Sequence, residues 1–135
     1  CKLYGTGREQ VFREISKGRD IILEVDVQGA ASVRALMPDS VSIFILPPSF
    51  EVLRQRLLAR GTDSSEELDL RLRSAPRELE DYTAFQYVII NDDAERAADQ
   101  MAAIVHAERV KLNRQRMKVE QVVDAFTGKQ IGNSN

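Results

Sequence analysis

The sequence has little of what usually advertises chemistry. It has one cysteine, Cys1, so no internal disulfide can form, which fits a reducing compartment. It has one histidine, His106, inside a stretch of helical periodicity, where it reads as a partly exposed and idle side chain. With a single histidine there is no Cys/His cluster of metal-ligand spacing, and no Ser/His/Asp arrangement can be argued. No apolar run approaches the roughly 18 residues of a spanning helix, and the first residues show no signal-peptide pattern. Neither sign of charge dominates: 19 Lys and Arg stand against 21 Asp and Glu, for a net charge of −2. That balance argues against a nucleic-acid coat or a membrane-surface protein. The basic run at 109–118 is more simply a charged helix face than a nucleic-acid site. There is no internal repeat and no low-complexity segment. The chain also lacks an initial Met. It starts at Cys1 and runs at once into "KLYGT", so it reads as a piece of something longer.

What is present is 43% apolar and 30% charged over 135 residues, the profile of one soluble domain with a single core. Strands and helices alternate. "REQVFREISKG", 8–18, predicts a helix stopped by Gly18. "DIILEV", 20–25, is apolar and β-branched, which predicts a strand. A helix follows, ended by Pro38. "SVSIFILPP", 40–48, predicts a second strand, broken by two prolines. Ser49 caps the next helix and Gly61 stops it. Another helix starts near Ser64 or Ser65, with Pro76 expected to kink or split it. "QYVIIN", 86–91, predicts a third strand, and a single long helix follows from residue 92 to 117. Strands alternating with helices imply an α/β fold with a parallel sheet covered on both faces.

Two clusters of side chains bear on chemistry. On a strand, Ile22, Glu24 and Asp26 share one face, with the two carboxylates about 7 Å apart at the strand's C-terminal end. Ligands bind at that edge in open α/β sheets. Two readings stand open: Asp26 caps the following helix while Glu24, partly buried, meets an internal arginine, or the pair belongs to a nucleotide or metal site. The second cluster is "LARGTDSSEELDLRLR", 58–73, where arginines stand at both mouths of an acidic turn. Arg56 and Arg60 are one helical turn apart and Arg71 lies on the facing helix. The plain reading is solvated helices with i,i+4 pairs such as Glu67 with Arg71. The chemical reading is a flap of guanidinium groups over a polyphosphate. At the chain start, Tyr4 and Thr6 offer a phenol and a hydroxyl beside a helix start. Asn91 ends the third strand, and Asp92 or Asp93 caps the last helix.

Together "YGT" (4–6), "ILEVDVQGA" (22–30), "SIFILPPS" (42–49), "LRQRLLARGTDS" (53–64), "RL" (71–72) and "YVIINDD" (87–93) resemble the guanylate kinase family, in its order and near its spacings. The resemblance implies a three-layer, parallel-sheet, P-loop nucleoside-monophosphate-kinase fold with a helical lid. Residues 1–48 would hold the end of the GMP-binding region and core elements, 49–82 the lid and its hinge helices, and 83–135 the last core strand and C-terminal helix. It implies transfer of the ATP γ-phosphoryl group to GMP with Mg²⁺, in the cytoplasm, with no nucleic-acid or membrane partner and with a homodimer left open. Tyr4 would contact the GMP phosphate, Thr6 the guanine, and Asp26 the guanine side. Glu24 would lie near Mg²⁺, directly or through water. Arg56, Arg60 and Arg71 would be the catalytic lid arginines, with Arg56 and Arg60 also on ATP, and Asn91 would approach the adenine.

The sequence departs from the family pattern in one large respect. The phosphate loop G-x-x-x-x-G-K-[ST] does not occur, and neither Gly-Lys-Ser nor Gly-Lys-Thr appears anywhere in these residues. The chain therefore resembles the C-terminal two thirds of the family, with negligible kinase activity expected of it alone. A family strand central to the sheet is also missing, which would leave a gap between the strands at 20–26 and 41–46. The runner-up reading is a kinase-like module that binds protein and does not catalyse. Retention of the arginines and both carboxylates favours the enzyme.

Overall fold

A computed structural model describes residues 7–61 and 63–128. In chain order the elements are helices α1 (Arg8–Ser16) and α2 (Val27–Leu36), strand β1 (Ile43–Leu46), helices α3 (Phe50–Arg60) and α4 (Ser65–Leu79), a 3-10 turn (Glu80–Ala84), strand β2 (Tyr87–Ile90), and helices α5 (Ala94–Arg109) and α6 (Leu112–Thr127). The chain divides into two compact units, 1–90 and 91–135.

In the first unit β1 and β2 pair in parallel, with Ile43 opposite Tyr87 and Leu46 opposite Ile90. The register is pinned just before the strands begin. Ser42 N–H donates to Gln86 Oε1 at 3.0 Å, and Gln86 N–H donates to Ser42 Oγ at 3.1 Å. Ser42 is buried, so this reciprocal clasp satisfies polar groups that water does not reach. Beside it the Phe44 and Phe85 rings lie 4.8 Å apart, tilted by 52°, and the Arg34 guanidinium sits 5.0 Å above the Phe85 ring. The buried apolar side chains among the described residues are few: Val11, Ala30, Phe44 and Ile89.

The strand expected at 20–25 does not form. Residues 20–26 are neither helix nor strand, and among the described residues the sheet has two strands. The segment keeps strand-like alternation all the same: Ile21, Leu23 and Val25 are half-buried, whereas Ile22, Glu24 and Asp26 are exposed. A β-prone run keeps its side-chain alternation even where no strand ladder forms among the described residues. Glu24 is thus exposed and not partly buried, and it meets no arginine among the described residues.

Two helix expectations also change. Pro76 does not split α4, which runs on to Leu79. Pro76 lies one turn from the helix end, so its missing N–H removes a single bond to the Leu72 carbonyl, and the 3-10 turn follows the helix as a separate element. The long C-terminal helix, by contrast, is two helices. α5 ends at Arg109 and α6 begins at Leu112, with Lys111 extended between them (φ −57°, ψ 140°). Glu108 organises the corner. Its side chain is 8% exposed and its carboxylate faces Lys111 Nζ at 2.9 Å and Arg114 Nε at 3.9 Å. A buried carboxylate needs such partners, and a straight helix would not bring both cations back onto it.

Candidate functional site

α3 is capped and stopped by residues suited to both jobs. Ser49 Oγ accepts the Val52 N–H at 3.1 Å, Glu51 stands in the first turn, and Gly61 closes the helix at φ +62°, where a side chain would be strained. Four residues later α4 begins with a full capping box. Ser64 Oγ accepts the Glu67 N–H at 3.2 Å, and Glu67 Oε2 accepts the Ser64 N–H at 3.4 Å. The two helices are thereby held either side of a tight turn. Arg56 lies on α3 and Arg60 is its last residue, and among the described residues no carboxylate pairs with the exposed Arg60.

Arg71 does not pair with Glu67. Its Nη1 lies 3.5 Å from Asp63 Oδ2, back across the first two turns of α4. Helical side chains lean toward the N-terminus, which makes that reach natural, and Glu67 is already committed to the capping box. The structure therefore brings Arg71 to the turn that also carries Arg60. Asp63 was not among the sequence candidates. The signal that finds it is an aspartate just before an N-cap, with an arginine two turns into the helix.

The carboxylates at the other place take different roles. Asp26 is the N-cap of α2: its Oδ1 accepts the Gly29 N–H at 2.7 Å. The capping reading is thus the one the structure displays. Glu24 sits two residues earlier, on the segment that is neither helix nor strand. At the end of β2, Asp93 caps α5 by accepting the Arg96 N–H at 2.9 Å, while Asp92 pairs with Arg96 Nη1 at 3.1 Å. Asn91 follows β2 directly. His106 is exposed on α5. Tyr4 and Thr6 lie outside the described residues. Among the described residues no group of three His, Cys, Asp or Glu side chains converges as a metal site, and no helix is long and apolar enough to cross a membrane.

Paired helices presenting arginines at a tight turn, following a strand, β1, that runs into Pro-Pro-Ser and pairs in parallel with the later β2, constrain the family without naming it. The family model described as guanylate kinase matches residues 1–108. The chain belongs to the guanylate kinase family. It is 52% identical over 112 residues to the guanylate kinase of Neisseria meningitidis serogroup B, covering 83% of this chain and 55% of that one. It is 46% identical over 111 residues to the guanylate kinase of Caldanaerobacter subterraneus subsp. tengcongensis, covering 82% and 54%. The crystal structure of guanylate kinase from Anaplasma phagocytophilum superposes with a TM-score of 0.70 at 34% identity, covering 87% of this chain and 56% of that one. The fold is therefore that of a guanylate kinase, a P-loop α/β fold, and the chain spans about half the length of the curated relatives it matches. The family match ends at residue 108, so α6 lies beyond it.

Proposed function

We propose that the protein carrying this chain is a guanylate kinase, moving the γ-phosphoryl group of ATP to GMP to give ADP and GDP in the cytoplasm. The observation that carries this reading is the α3–α4 turn: Arg60 with no carboxylate paired to it among the described residues and Arg71 drawn to the same turn, in a chain of this family. Phosphoryl transfer asks little covalent chemistry of a protein. It asks for positioning and for positive charge where the transferring oxygens gain negative charge. Guanidinium groups on two capped helices supply both, and their planar forks suit phosphate oxygens.

In this proposal Arg56, Arg60 and Arg71 close on the polyphosphate as the lid spanning residues 49–82, and Asn91 approaches the adenine. Tyr4 holds the GMP phosphate, while Thr6 and Asp26 face the guanine. The Asp26 part rests on the family resemblance, since the carboxylate is seen in its capping role. Mg²⁺ brought with the nucleotide would supply positive charge to the phosphates, and Glu24 is the side chain of this chain that would stand beside it. Glu24 is a single exposed carboxylate, which fits an ion held mainly by phosphates and water and not one caged by protein. Glu24 would orient that hydration.

The test is GMP-dependent release of ADP by the protein expressed from its own gene, with AMP and UMP as control acceptors. ADP release with GMP alone supports the reading. Nucleotide binding with no release favours the protein-binding module instead. Measuring the intact mass against 15.2 kDa shows which polypeptide is being assayed, and the elution volume of the same sample reports on a homodimer.

A further inference from the structure

We propose that Asp63 is a positioning residue for Arg71, holding its guanidinium at the α3–α4 turn before a polyphosphate arrives. The proposal rests on the kinase reading above and adds to it a residue that no phosphate would touch. Asp63 stands in a turn, where a carboxylate would ordinarily be bathed in water, yet its side chain is only 12% exposed. Its Oδ2 is fully buried and accepts no hydrogen bond. A desolvated carboxylate oxygen is costly unless a cation faces it, and the cation that faces it is Arg71, at 3.5 Å.

The local design excludes the ordinary alternative. Glu67, one turn before Arg71 on the same helix, would be its default partner, but both ends of Glu67 are engaged in the capping box with Ser64. The cap therefore leaves Asp63 as the counter-ion. The contact uses one Nη of a group that has five N–H donors, and the Arg71 side chain stays 54% exposed. One edge of the guanidinium can be anchored while another remains for phosphate oxygens. Anchoring also removes part of the rotamer freedom that Arg71 would otherwise lose in the transition state.

The test uses the protein expressed from its own gene, with Asp63→Asn and Asp63→Glu. The first measurement is exchange of the Arg71 Nε–H by NMR without nucleotide, with Arg73 on the same helix as the internal control. Exchange slowed severalfold at Arg71, restored to the Arg73 rate in Asp63→Asn, is expected. The second is steady-state kinetics. Asp63→Asn should lower kcat about tenfold while KM for ATP stays within about twofold, and Asp63→Glu should recover most of the loss. A purely structural role would shift the melting temperature and leave kcat alone. Wild-type activity retained in a folded Asp63→Asn overturns the proposal and leaves the kinase reading standing. If wild type releases no GMP-dependent ADP, the kinase reading fails and the proposal falls with it. Should Asp63→Asn not fold, wild-type exchange decides: equal rates at Arg71 and Arg73 overturn the proposal.

Discussion

The α3–α4 turn and the segment at 20–26 are both short, and both carry residues proposed for the same reaction. They fold by different rules. Every device at the turn is local: Ser49 on Val52, Gly61 at φ +62°, Ser64 with Glu67, Asp63 with Arg71. Each partner lies within eight residues of the other, so the sequence nearby is enough to place them. Residues 20–26 need a backbone ladder, which only another strand can supply, and among the described residues none does. A site built across both regions thus has one half set by its own chain neighbourhood and one half that depends on distant pairing.

The sharpest way to test the local half is to remove Arg60. Arg60→Ala should lower kcat by about 10²-fold or more, the scale seen when a preorganised charge partner of a transition state is lost, while KM for GMP rises far less. Steady-state kinetics of the protein expressed from its own gene check this. An unchanged kcat would take Arg60 out of the lid. Next in size is Thr6→Val, which deletes a proposed hydrogen bond to guanine. It should weaken GMP binding by about tenfold, on the scale of one hydrogen bond, and leave ATP binding alone. Calorimetric titration with each nucleotide separates the two, and equal GMP affinity in the variant removes Thr6 from the base site.

What was legible in the sequence divides along the same line. The cap at Ser49 and the stop at Gly61 were readable, and the starts of α4 and α5 were readable to within one residue (Ser64 or Ser65, Asp92 or Asp93), because a hydroxyl, a carboxylate or a missing side chain acts on the next few backbone groups. β1 and β2 were readable because their apolar runs find each other. The strand expected at 20–25 finds no ladder among the described residues, although its alternation was read correctly. The break at Val110–Lys111 was hidden because the helical pattern continues through it, and only the buried Glu108 with its two cations shows why the chain turns. Of the candidate site, the arginines were found as residue types at a spacing. Asp63 was missed because Glu67 satisfied the i,i+4 rule on paper while the capping box had already claimed it.

Smaller effects sharpen the comparison in stability instead of rate. Ser64→Ala removes the capping box and should cost about 1 kcal/mol in denaturant unfolding. Beyond that, Glu67 is freed to compete with Asp63 for Arg71, so the same variant should speed Arg71 Nε–H exchange. A stability loss with unaltered Arg71 exchange would show that the cap and the ion pair are independent.

The smallest effect belongs to the non-local half. Ile22 is 76% exposed on the unpaired segment, so Ile22→Thr in the 135-residue chain should change stability by less than about 0.5 kcal/mol. A β-branched residue swapped for another keeps the backbone preference and alters only burial. Backbone amides at 21–25 should exchange as fast as those of an open chain, while those of β2 opposite β1 are protected. Protection at 21–25 together with a larger loss for Ile22→Thr would mean that the segment is laddered after all. The carboxylates at 24 and 26 would then stand on a true strand end, and Glu24 would gain the fixed position that a role beside Mg²⁺ requires.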